Sequence, residues 1–350
     1  MLIGRQRLRP GAAMRWPFAR LYPGLLAALL LVGGALYLRH AFQFYLFDDE
    51  GSNAYAAWRV SAGELPYRDF LSSQMPAFLY WGGLLLRLFG RSFVPLRVAS
   101  VLLTLLGGGL LAAVNRELFG RRVALVALAL YLVEANIFFV GRFFLAESLM
   151  LACDLAGIYL FVLGERRSRR LCTVLAGLAF ALATLSKLFG LLPLGGIGLY
   201  LLYTGWHERR PWRRILAQVL TLGLPALLLG AGVAGALAWA TPRFIGNVFQ
   251  HHTMQGAGMP LLARLGHALG FLGRYAWDQP VAIALAGLGA FLSVRRLGAR
   301  ASLWLWQVAT ALAFVALSRT LMSRHLTYLA PALTSLAALA LVTLWQARAY

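Results

Sequence analysis

Acid is scarce in this chain. Only 12 of its 350 residues are Asp or Glu, and Lys187 is the sole lysine among 33 basic residues. Charged residues of either sign make up 13%, half of the roughly 25% usual in a soluble globular domain. With 60% hydrophobic residues and a mean hydropathy of +0.71, this excludes a soluble protein and indicates a polytopic membrane protein. Cysteine is nearly missing too. Cys153 and Cys172 lie in separate apolar segments, offer no zinc or redox spacing, and are expected to pack as small hydrophobes without a disulfide. Walker loops, nucleotide fingerprints, nucleophile elbows and His-Glu-x-x-His are all lacking, so ATP-driven and covalent serine chemistry have no support.

What is there is arginine, in short clusters between apolar runs. The formal net charge of +21 does not imply a nucleic-acid partner, because the clusters fall between predicted membrane spans. Ten spans are predicted, at about 23–45, 97–115, 123–140, 148–163, 171–186, 190–204, 215–240, 281–294, 301–317 and 326–345. The loops at 115–122, 164–170, 205–214 and 295–300 carry three, four, four and three arginines. With the N-terminus inside, all four face the cytoplasm. The basic N-terminus followed by an apolar run reads as an uncleaved signal anchor. No soluble domain is expected after the last span. The whole chain, 1–350, is read as one transmembrane domain with two large outer loops, 47–96 and 241–279.

Five of the twelve acids gather in FDDEGSNAYAAWRVSAGELPYRDF, residues 47–70, inside the first of these loops: Asp48, Asp49, Glu50, Glu64 and Asp69. Residues 51–62 are predicted to form an interfacial helix with Ala54, Tyr55, Trp58 and Ala62 along one side. PAFLYWGGLLLRLFG, 76–90, starts with Pro in a first helical turn, capped by Ser73 or Gln74. At 1.5 Å per residue it reaches about 22 Å, short of the roughly 30 Å bilayer core. It is therefore interfacial, re-entrant or a tilted short span, which makes eleven spans if it crosses.

Of the remaining acids, Glu117, Glu165 and Glu208 lie in Arg-rich loops and are expected to pair locally, and Asp278 to anchor a helix end. Glu134 and Asp154 lie inside spans, as hydrogen-bonded helix contacts or as cavity acids. Glu147, in GRFFLAES, stands at the mouth of a span, two turns before Asp154 and so on the same helix face. Basic groups away from the inner clusters are Arg142, Lys187, and Arg324 with His325 in SRHLTYLAPAL. A cationic ring at the mouth of an apolar bundle suits an anionic lipid phosphate. The adjacent His251 and His252 point differently and make a weak metal candidate.

Taken in order, an aromatic end to the first span, DEG-x-x-A-Y, A-G-E-x-P-Y-x-D-F and a Pro-led segment ending L-F-G resemble the GT-C superfamily of polytopic glycosyltransferases. The branch it resembles holds the protein O-mannosyltransferase and aminoarabinose transferase relatives, including RgtA/B/C/D-like proteins. The likeness is specific at 47–90 and 141–154. It implies an all-α GT-C-like fold in a bacterial inner membrane, with the site on the extracytoplasmic side, although the ten to eleven spans read from the apolar runs are fewer than in many members. It also implies inverting transfer of a hexose or pentose from a polyprenyl phosphate to a lipid, glycan or protein acceptor. Asp49 would be the general base, with Glu50 beside it and Glu147 positioning the acceptor or sharing a metal. Lys187, Arg324 and Arg142 would hold the donor phosphate, and Tyr55, Asp154 and His325 would line the acceptor pocket. Asp48 and Asp49 are the candidate ligands for a divalent Mg or Mn, which some relatives do not need. A transporter or flippase for a lipid or polyanion, and a non-catalytic polyprenyl-lipid-binding relative, are the competing readings.

Overall fold

Most of the apolar runs read from the sequence become helices. The structure, a computed structural model, describes residues 16–43, 45–250, 259–318 and 321–348. Its helices are α1 (Trp16–Ala41), α2 (Asp48–Ser61), α3 (Pro76–Phe89), α4 (Phe93–Phe119), α5 (Arg121–Val133), α6 (Ala135–Val140), α7 (Ala146–Arg167), α8 (Arg170–Ser186), α9 (Leu192–His207) and α10 (Trp212–Ala240). There follow α11 (Arg243–Ile245), α12 (Leu261–Asp278), α13 (Pro280–Leu292), α14 (Leu303–Leu317) and α15 (Ala330–Ala347). Among the described residues the only β pairing is an isolated bridge between Pro66 and Phe70. The protein is an all-α polytopic membrane protein: among the described residues six helices are long and apolar enough to cross a bilayer, or seven counting one bent pair.

α7 is the central helix, packed between α4 and α8, while α15 lies against α5 and α13. Tyr131, Phe161, Phe180 and Trp304 are almost wholly enclosed in the core they share. Apolar lipid gives no hydrophobic drive between helices, so close packing depends on small residues. Gly289 is one: a Cβ there would lie 1.9 Å from the Leu336 carbonyl oxygen, so α13 can meet α15 only through glycine. The free Cys153 and Cys172 are half-buried.

Three local differences from the sequence reading have physical causes. The span at 123–140 breaks, because Glu134 turns extended and its carboxylate accepts from the Ile137 amide at 2.8 Å, capping α6. The loop at 241–279 contains the amphipathic α12, which bends by 102° into α13. Tyr275 and Gln279 fix that bend by donating to Glu134 at 3.3 and 3.2 Å. α2 forms, but Ala54, Ala56 and Ala57 face the protein while Tyr55 and Trp58 stay exposed, so the predicted stripe is split between two faces. α3 starts after Met75 with Pro at its first turn and no side-chain cap.

The AGELPYRDF turn is closed by its own charges. Arg59 pairs with Glu64, and Asp69 accepts from the Leu65 amide at 2.8 Å and from Arg68 at 2.8 and 3.0 Å. Hydrogen bonds from Arg68, then from Leu65, lower the Asp69 carboxyl from 3.8 to about 2. Because the folded value lies below the unfolded one, Asp69 holds the turn fully above about pH 4 and releases it as pH falls toward 2. Hydrogen exchange at Leu65, corrected for intrinsic rates, should show protection lost over that window in the wild type. Asp69→Asn should show weaker protection and no acid transition.

Candidate active site

Four charged side chains meet at one end of the bundle. Asp49 lies in the first turn of α2 and Glu147 in the first turn of α7, where the helix dipole favours an anion. Lys187 follows the last residue of α8, where it favours a cation. Arg324 sits on the short 3₁₀ turn Ser323–Leu326 leading into α15. Lys187 Nζ lies 2.5 Å from Glu147 Oε1, and Arg324 Nε lies 3.8 Å from the same oxygen. The other face of Arg324 pairs with Asp49. A single guanidinium thus links the two carboxylates, which are 98 residues apart in the chain.

The two acids differ in access. Glu147 is 4% exposed at its side chain and Asp49 42%. One is a fixed counter-charge and the other is open to an incoming molecule. Aromatic rings hold the cations: Arg324 lies 5.6 Å from the Phe47 ring centroid and Lys187 5.5 Å from that of Phe189. Phe189 also meets the His325 ring at 5.1 Å, and His325 Nδ1 accepts from the Met322 amide at 3.3 Å. The turn carrying Phe189 can close on α8 only because residue 190 is glycine, since a Cβ there would lie 2.4 Å from the Ala183 backbone.

Glu50 stands next to Asp49 but behind the cluster. It is wholly buried, and both its oxygens are taken by Arg97 at 2.8 and 2.6 Å, with the Phe144 amide at 3.0 Å. Arg97 also donates to the carbonyls of Ala41, Gln43 and Tyr45. This pair fastens the start of the first long loop to α4. Arg97, which holds Glu50, and Phe47 and Phe189, which hold the cations of the cluster, are contacts that the sequence reading missed. The signal for Arg97 was an arginine in VPLRVAS at the mouth of an apolar span, which needs an acidic partner.

The other candidates lie apart. The Arg142 guanidinium sits 4.9 and 5.2 Å from the Phe138 and Phe143 ring centroids, and burial pushes its pKa down. Tyr55 accepts from Arg59 at 3.1 Å on the exposed side of α2. Asp154 is seven residues beyond Glu147, about 10 Å deeper along α7. It is 2% exposed, and neither oxygen has a hydrogen-bond partner among the described residues. Beside it a pocket of about 20 Å³, room for one water, is lined by Gln307, Trp304 and Tyr328. Asp48 begins α2, but its side chain, like His251 and His252, lies outside the described residues. Among the described residues no three His, Cys, Asp or Glu side chains stand together as a metal set. Asp49 pairs with the Arg324 guanidinium, which would compete with a metal for its oxygens.

The fold has counterparts. ArnT from Cupriavidus metallidurans superposes with a TM-score of 0.71 in its apo state and 0.72 bound to undecaprenyl phosphate, at 20% identity in each case. The alignments cover 94% and 93% of this chain. The chain has the GT-C fold. The archaeal oligosaccharyltransferase AglB from Archaeoglobus fulgidus, in complex with an inhibitory peptide and dolichol phosphate, shares the GT-C fold at TM-score 0.65 and 13% identity, over 94% of this chain. The chain spans 62% and 60% of the two ArnT chains and 51% of AglB. Residues 73–231, just under half of this GT-C chain, match the model of the dolichyl-phosphate-mannose-protein mannosyltransferase family. No curated protein matches.

Proposed function

We propose that this protein transfers a sugar from a polyprenyl-phosphate donor to an acceptor hydroxyl. The observation that carries the reading is Arg324 held between an open carboxylate, Asp49, and a buried one, Glu147, that also fixes Lys187. Asp49 takes the acceptor proton as the acceptor oxygen bonds to the anomeric carbon. The bond from that carbon to the donor phosphate oxygen breaks with its electron pair, and the carbon inverts. Lys187 and Arg324 stabilise the charge growing on the departing phosphate. The four side chains sum to zero charge before the donor arrives. As the phosphate engages Arg324, it draws the guanidinium from Asp49 and frees the base, so donor binding precedes proton removal.

The ArnT and AglB structures holding undecaprenyl and dolichol phosphate support a polyprenyl donor. The Arg clusters gather at the opposite end of the bundle, where Arg166 meets Glu117 at 3.0 Å and Arg210 meets Glu165 and Glu208 at 3.4 and 2.9 Å. This supports a cytoplasmic side there and an extracytoplasmic site in an inner membrane. The protein in lipid nanodiscs, given polyprenyl-phosphate sugars labelled in the sugar, should release polyprenyl phosphate as label appears on an acceptor. Lys187→Ala should lower kcat/KM for the donor by about tenfold or more. In proteoliposomes, movement of intact donor across the bilayer with no cleavage would instead establish a flippase.

A further inference from the structure

At the bundle end away from the four-charge cluster, α9 and α10 meet in a tight turn, Glu208 to Pro211, and a groove of about 680 Å³ opens against it. Its rim carries Trp206 and Trp212, 79% and 62% exposed, with His207, Arg209 and Arg210. Arg210 is committed to Glu165 and Glu208. Arg209 has no ion pair among the described residues and is held in the left-handed region at φ 51°. The N-terminus of the 29-residue α10 opens at the same rim, adding its partial positive charge.

Below the rim the surface changes character. Trp212, Leu216 and Leu220 are spaced by four residues and form one exposed stripe down α10; Trp206, Leu202 and Leu199, four and then three residues apart, form another on α9. α10, and α9 taken with the 3₁₀ turn Leu188–Leu191 before it, are long and apolar enough to span a bilayer. Two tryptophans therefore stand at headgroup level above two parallel apolar lanes, with an unpaired arginine between them.

We propose that this groove is a binding site for an anionic phospholipid. Its phosphate sits at Arg209 and the start of α10, its glycerol between the two tryptophans, and its acyl chains along the leucine lanes. The site is separate from the sugar-transfer chemistry and does not depend on it. Anionic headgroups fit this groove because no carboxylate lines it.

Native mass spectrometry of the detergent-purified full chain, with phosphatidylglycerol and phosphatidylcholine in equal amounts, tests it. The wild type should retain phosphatidylglycerol in preference. Arg209→Asn should weaken that lipid about fivefold and leave phosphatidylcholine unchanged. Asn tolerates the left-handed backbone, so an unaltered thermal midpoint is expected. Arg166→Gln removes the same charge at the same end but outside the groove, and should leave the preference intact. Equal retention of the two lipids by the wild type overturns the proposal. So does an equal loss in the two variants, which would mean diffuse surface attraction.

Discussion

Asp49→Asn is expected to lower sugar transfer about 10²–10⁴-fold, the range for a positioned general base, while the protein folds as before. The amide oxygen can still accept from Arg324, and the side chain is partly exposed, so nothing buried is left unpaired. The loss should fall on kcat more than on the donor KM, because the donor phosphate is assigned to Lys187 and Arg324. Turnover measured with saturating polyprenyl-phosphate sugar, beside a thermal melt of the same sample, separates the two effects. Undiminished turnover would remove Asp49 from the role of base and pass it to a neighbouring acid.

Arg97→Met is expected to destabilise the protein by about 3–5 kcal/mol, the usual cost of stripping one partner from a buried ion pair. Glu50 would be left charged and wholly enclosed, and the carbonyls of Ala41, Gln43 and Tyr45 would lose their donor. The double variant Arg97→Met with Glu50→Leu should recover part of that loss, because it leaves no buried charge. Unfolding in detergent by denaturant provides the comparison. A single variant within about 0.5 kcal/mol of wild type, as for a neutral surface change, would mean that the pair does not hold the loop. Activity should fall with stability here, in contrast to Asp49→Asn, where only activity falls.

The sequence made the helices legible because the spans are apolar runs, several of them separated by the arginine clusters at 115–122, 164–170, 205–214 and 295–300. It singled out Asp49, Glu147, Lys187 and Arg324, which the structure brings together, because a chain so poor in acid and lysine leaves few candidates at span mouths. Composition and spacing did not separate Asp49 from Glu50; only the resemblance made Asp49 the base. Adjacent residues in a helix point about 100° apart, and which one faces Arg97 is decided by α4, 47 residues away. The break at Glu134 was hidden for the same reason: its partners, Tyr275 and Gln279, lie more than 140 residues on. Tyr55 and Arg142 looked suitable by residue type and neighbourhood. Their side chains are occupied by Arg59 and by two phenylalanines instead.

Arg97 collects three carbonyls and a carboxylate from the segment 41–50, so the mount for that segment belongs to another part of the chain. A chimera that imports residues 41–72 from a relative must therefore bring the matching arginine of the acceptor helix with it, or the graft will have no anchorage. The transplantable unit is a loop together with one distant side chain, and libraries that shuffle the loop alone will sample mostly unmoored sequences.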